Sequence, residues 1–154
     1  INKMADKYGL EVYLEPGEAV ALNAGELISE VLDIVENDGK IALLDASAAC
    51  HMPDVIEMPY TPPLANAGKP GEKGFDYTLA GATCLAGDVI GKYSFNEPLK
   101  IGDRVKFQDM AIYSFVKNNT FNGMPLPALA VKDKSGNCKI IKTFGYEDFK
   151  SRLG

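Results

Sequence analysis

The sequence predicts a mainly β domain, and three observations carry that prediction. Short runs of apolar and β-branched residues recur along the chain, Gly, Pro, Asn or Asp bound most of them, and two of the gaps, Asn37-Asp38-Gly39 and Asp133–Asn137, are hairpin-turn signals. Several short strands with regular turn punctuation suit a barrel or sandwich.

Taken in order, Leu10 to Leu14 (LEVYL) is an apolar run closed by Pro16 and Gly17, which predicts a buried strand followed by a turn. Gly25 to Glu36 alternates imperfectly, and propensity alone would also allow a helix. The Asn37-Asp38-Gly39 turn followed by Lys40 to Asp45 decides for a strand pair. Ala46 to Met58 mixes small residues with His51, Asp54 and Glu57 and is predicted to leave the sheet. Pro59, Pro62, Pro63, Gly68, Pro70, Gly71 and Gly74 then mark an exposed loop. Strands are expected at Phe75 to Ala80, Asp88 to Phe95 and Arg104 to Gln108, with Glu97 to Asp103 as a turn. Ala111 to Asn119 suits a short helix ended by Asn122-Gly123 and the prolines Pro125 and Pro127. Leu129 to Lys132 and Cys138 to Thr143 frame the second hairpin, and the tail from Tyr146 to Gly154 reads as helical.

A chain of 154 residues fits the prior of one domain per ~100–200 residues. The net charge of −5, with sixteen scattered Lys and Arg, argues against nucleic acid and anionic membrane as partners. Three widely spaced cysteines without a CxxC pair suit a reducing compartment, so a cytoplasmic location is expected. No stretch approaches the ~18 apolar residues of a membrane span, and INKMADKYG has no signal-peptide pattern. The absence of an initiating Met suggests a piece of a longer protein. One histidine and scattered cysteines make no zinc motif, and no GxGxxG, Walker or GxSxG motif is present, so no metal is expected.

Four segments point further: LEPGEA (Leu14 to Ala19), DASAACHMPDVIE (Asp45 to Glu57), GATCLAGDVI (Gly81 to Ile90) and FQDMAIYSFVKNNTFNG (Phe107 to Gly123). In this order they resemble the second half of the pyridoxal-phosphate decarboxylases of the alanine-racemase fold type, also called fold type III. That family includes the ornithine, diaminopimelate and carboxynorspermidine decarboxylases. The resemblance implies that residues 1–18 are the last strand and turn of a cofactor-binding α/β barrel whose remainder lies outside this chain. Residues 19–154 would be the C-terminal β domain. It implies pyridoxal 5'-phosphate as cofactor, with the Schiff-base lysine outside this chain, and a homodimer with shared active sites. The likeness is greatest to the branch acting on carboxynorspermidine and carboxyspermidine, so a small-molecule polyamine precursor is the expected substrate. Diaminopimelate or another basic amino acid is the alternative, and a non-catalytic dimerising or binding module is a third.

The resemblance assigns roles residue by residue. Glu15 would face the pyridine nitrogen and keep it protonated, because a neighbouring negative charge favours the charged form; as a bare residue it is an acid in a turn. Gly17 belongs to the same cofactor-binding motif. Glu18 departs from the Glu-Pro-Gly-Arg of ornithine and diaminopimelate decarboxylases, and an acid cannot pair with a phosphate. Tyr113 matches the family's phosphate-contacting tyrosine, although most such tyrosines are core residues. Cys84 matches the cysteine that protonates the substrate carbon after carbon dioxide leaves. Free cysteines more often act as small buried hydrophobes, which suits Cys50 and Cys138 better. Asp88 falls where the family approaches the distal end of the substrate, and His51 and Asp54 lie in a segment it uses for substrate contacts. Leu85 follows the cysteine where ornithine and diaminopimelate decarboxylases carry an acid.

Overall fold

A computed structural model describes residues 1–154. The chain opens with helix α1 (Asn2–Tyr8), ended by Gly9 in the left-handed conformation, and a four-residue helix α2 (Glu18–Ala21). The strand expected at Leu10 to Leu14 is absent: the segment joins no sheet, and Tyr13 is 84% exposed. A strand needs a neighbour to take its backbone N–H and C=O groups, and no other segment of this chain lies alongside this one.

The body of the fold is a five-stranded sheet. β1 (Glu26–Glu36) turns back at Asn37-Asp38-Gly39 into β2 (Lys40–Leu44), with Asp38 and Gly39 both at positive φ as the hairpin requires. The imperfect alternation of β1 has a structural cause. Its register shifts between Val31 and Asp33, so Leu27, Ser29 and Val31 face inward before the shift and Ile34 does so after it.

From β2 the chain leaves the sheet through two short helices, α3 (Ala48–His51) and α4 (Asp54–Glu57), and returns as β3 (Phe75–Ala80), parallel to β2. A parallel neighbour requires a crossover of this kind. β4 (Val89–Phe95) and β5 (Arg104–Gln108) complete the strand order β4-β3-β2-β1-β5. The crossover also joins the two edges. Leu64 bridges to Phe107 of β5 while Gly68 bridges to Ser94 of β4, and the Tyr93 hydroxyl donates to the Pro62 carbonyl at 2.8 Å. The Pro- and Gly-rich stretch is therefore no simple exposed loop, for Pro62 and Leu64 are buried in it. Its backbone groups find partners on the edge strands, which closes the sheet in the manner of a small barrel.

The closed sheet encloses Val31, Leu44, Leu79, Ile90 and Phe107, all at most 2% exposed. Fully burying each such side chain contributes about 1.5–3 kcal/mol. Tyr93 and Phe107 meet edge to face at 6.4 Å.

The remainder comprises α5 (Tyr113–Val116), a single 3₁₀ turn (Phe121–Gly123), the hairpin of β6 (Leu129–Lys132) and β7 (Cys138–Lys142), and α6 (Tyr146–Lys150). In the hairpin turn the Asp133 carboxylate accepts from Ser135 and Asn137, which holds its pKa down at about 2. Cys138 is exposed on β7, not buried as expected, because neither face of this two-stranded sheet is covered. No helix is long and apolar enough to cross a membrane.

Candidate active site

Three segments converge beside the closed sheet: α3 with the residues leading into it, the β3–β4 connection that carries Cys84, and a strap from Asn119 to Pro125. The first two meet on a buried carboxylate. Asp88, 3% exposed, accepts from the Ser47 hydroxyl, from the amides of Ala48 (2.7 Å) and Ala49 (3.3 Å), and from the Thr83 amide and hydroxyl (3.2 and 2.6 Å). Ser47 in turn caps α3 by accepting from the Cys50 amide at 3.2 Å. Gly81 packs against the same carboxylate, and a Cβ there would overlap it.

The strap is stitched to α3 by four contacts. Asn119 donates its backbone N–H to the Cys50 carbonyl (3.0 Å) and its side-chain N–H to the Ala49 carbonyl (2.8 Å). The Cys50 thiol donates to the Phe121 carbonyl at 3.4 Å, and burial pushes its pKa up. His51 completes the seam with both ring nitrogens. Ser47 N–H can only donate, so Nδ1 accepts at 3.0 Å and the proton sits on Nε2, which donates to the Pro125 carbonyl at 3.0 Å. Burial pushes the His51 pKa below its usual range.

Cys84 itself is exposed. Its backbone N–H donates to the side-chain oxygen of Asn122 in the strap, at 3.1 Å. Asn122 stands at φ 59°, a left-handed conformation that Asn tolerates better than most residues.

A second group lies on α4 and α5. Lys117 donates to Asp54 at 2.5 Å and to Glu57 at 2.7 Å, and its ammonium stands 5.4 Å from the centre of the Tyr113 ring. The two acids hold the Lys117 pKa above its usual range. Tyr113 is 61% exposed and its hydroxyl makes no hydrogen bond within the chain.

Of the residues singled out in the sequence, Cys84, Asp88 and His51 are thus brought into one network, while Asp54 and Tyr113 share Lys117. Asp88 and His51, expected at the substrate, are both buried, and their side chains hydrogen-bond to donors and acceptors of this chain. Asp54 is engaged by Lys117. Glu15 and Gly17 are exposed before α2; the Glu15 side chain makes no hydrogen bond or ion pair, and Gly17 caps α2 with its carbonyl accepting from the Val20 N–H at 3.0 Å. Sequence reasoning missed Ser47, Thr83 and Asn122. Only Asn122 carried a local signal, the Asn-Gly pair that favours positive φ.

A family model described as "Pyridoxal-dependent decarboxylase, C-terminal sheet domain" matches residues 5–111. The carboxynorspermidine/carboxyspermidine decarboxylase of Campylobacter jejuni is 47% identical, over 98% of this chain and 42% of its own length. The carboxyaminopropylagmatine decarboxylase of Synechocystis is 45% identical, over 94% of this chain and 38% of its own. The crystal structure of the Campylobacter jejuni carboxynorspermidine decarboxylase complexed with norspermidine superposes with a TM-score of 0.84 at 46% identity, covering 97% of this chain and 44% of that one. The chain therefore spans about two fifths of the length of these curated relatives. The matching residues, the closed sheet and these likenesses agree: the chain belongs to the pyridoxal-dependent decarboxylases, as their C-terminal sheet domain.

Proposed function

We propose that this chain completes the active site of a decarboxylase that converts carboxynorspermidine or carboxyspermidine to norspermidine or spermidine. The observation that carries the reading is the 47% identity, over nearly the whole chain, to an enzyme named for those two substrates.

The groups available here fit the cofactor the family implies. The Glu15 carboxylate and the Tyr113 hydroxyl have no partner within the chain, so one is free for a protonated ring nitrogen and the other for a phosphate oxygen. Gly17, two residues beyond Glu15, stands in open space as the N-cap of α2. When bound, pyridoxal phosphate supplies an electron sink for the bond that releases carbon dioxide. Cys84 presents its thiol at the surface of a braced loop and delivers a proton to the substrate carbon that has lost its carboxylate. General acids of this kind contribute typically ~10²–10⁴-fold.

Leu85, the residue after Cys84, is apolar and 41% exposed, which suits the methylenes of a polyamine better than a second amino-acid head group. A substrate with a guanidinium end is a second reading, favoured by the 45% identity to the carboxyaminopropylagmatine enzyme. The test is kcat/KM of the full-length protein on carboxynorspermidine, carboxyspermidine, diaminopimelate and ornithine. The first two are expected to exceed the others by about a hundredfold, the range typical of an apolar surface discriminating against an added polar group. Equal use of diaminopimelate would overturn the substrate assignment.

A further inference from the structure

The geometry points to Asn122 as a positioning residue for Cys84. This rests on the reading of Cys84 as the proton donor and extends it to the residue that sets where the thiol points.

Cys84 lies on a connection with little packing of its own: Ala82 and the stretch from Cys84 to Gly87 are exposed. On one side it is anchored through Thr83, which donates to Asp88 by amide and hydroxyl. Its own N–H has one partner, the Asn122 side-chain oxygen, thirty-eight residues away in sequence. With both Thr83 and the Cys84 amide held, the peptide plane before Cys84 is fixed, and with it the base from which the thiol projects.

The strap is built to carry that contact. Asn119, Phe121 and Pro125 tie it to Ala49, Cys50 and His51 of α3, so Asn122 is mounted on a segment anchored at both ends. Its φ of 59° limits what can stand there. Glycine adopts this conformation but has no acceptor. Asn and Asp alone combine tolerance of it with a short side-chain oxygen. Asn has the further advantage of placing no charge beside a thiol, since a carboxylate there would raise its pKa.

The test uses the full-length protein with Asn122→Gly, which keeps the backbone conformation and deletes the acceptor, and Asn122→Asp, which keeps both. Alkylation of Cys84 by iodoacetamide, followed by peptide mass analysis across pH, is read beside thermal midpoint, kcat and KM. Asn122→Gly is expected to melt within a few degrees of the parent, to alkylate at Cys84 several-fold faster, and to lose about ten- to a hundredfold in kcat with KM little changed, the scale of a small misplacement of a reacting group. Asn122→Asp is expected to keep most of the turnover and to move the alkylation midpoint to higher pH. Unchanged Cys84 alkylation in Asn122→Gly overturns the proposal, and so does altered alkylation with unchanged kcat. If Cys84→Ala instead proves fully active, the proton-donor reading fails, and alkylation alone still decides whether Asn122 holds Cys84.

Discussion

Asp88 meets five donors and no cation, an arrangement only a carboxylate with every lone pair accepting can satisfy. Sequence position suggests a substrate contact for Asp88, and nothing in the sequence announces the donors that folding gathers around it. The same limit applied to His51. Cys84 stands out in the sequence because its surroundings are distinctive, whereas Ser47 and Thr83 are ordinary residues whose importance arises only on folding. Removing the Asp88 carboxylate should therefore act on stability. Asp88→Ala leaves the Ser47, Ala48 and Thr83 donors without an acceptor, and stranded buried donors cost about 1–3 kcal/mol each. Denaturant unfolding is expected to show a loss of about 3 kcal/mol or more. A loss below about 1 kcal/mol with a selective rise in KM would return Asp88 to the substrate.

Between elements, the seam of α3 with the strap is sensitive to acid. His51 holds it as a neutral ring, accepting from Ser47 and donating to Pro125, and protonating Nδ1 would turn it against the Ser47 N–H. Its folded pKa is depressed, so its contribution is fully present above the unfolded value of about 6.5 and is lost as pH falls from there toward the folded pKa. The unfolding midpoint should be flat near pH ~7–8 and decline as pH falls below ~6.5. His51→Gln should remove that part of the decline, and an unaltered profile would count against the buried neutral ring. The hairpins were readable because Asn37-Asp38-Gly39 and Asp133–Asn137 encode their own geometry within a few residues. The parallel pairing of β2 with β3 was not, because a crossover leaves no local signature of its partner.

For the molecule as a whole, Leu10 to Leu14 teaches the complementary lesson. The sequence has the composition of a strand, and a strand forms only where a neighbour exists. The same dependence bears on assembly. Glu15 and Cys84 lie on segments with no hydrogen bond between them, which fits sites shared across a two-fold dimer, the commonest assembly. Mixing full-length Cys84→Ala with a full-length variant lacking the Schiff-base lysine should restore about a quarter of the parent activity, the share expected when one site in two is intact in half of the dimers. No recovery under demonstrated subunit exchange would argue for sites built within one subunit.

The segment from Pro62 to Gly68 joins the outer strands β4 and β5, which share no backbone pairing and meet directly through the Tyr93 and Phe107 rings. Its contacts on both sides lie some way along the chain, so they cannot form until those strands are in place, and closure belongs late on the folding route. Interactions made after the transition state slow unfolding without speeding folding. Substitutions that loosen the Pro62–Gly68 contacts are therefore expected to shorten the lifetime of the folded domain more than they slow its formation.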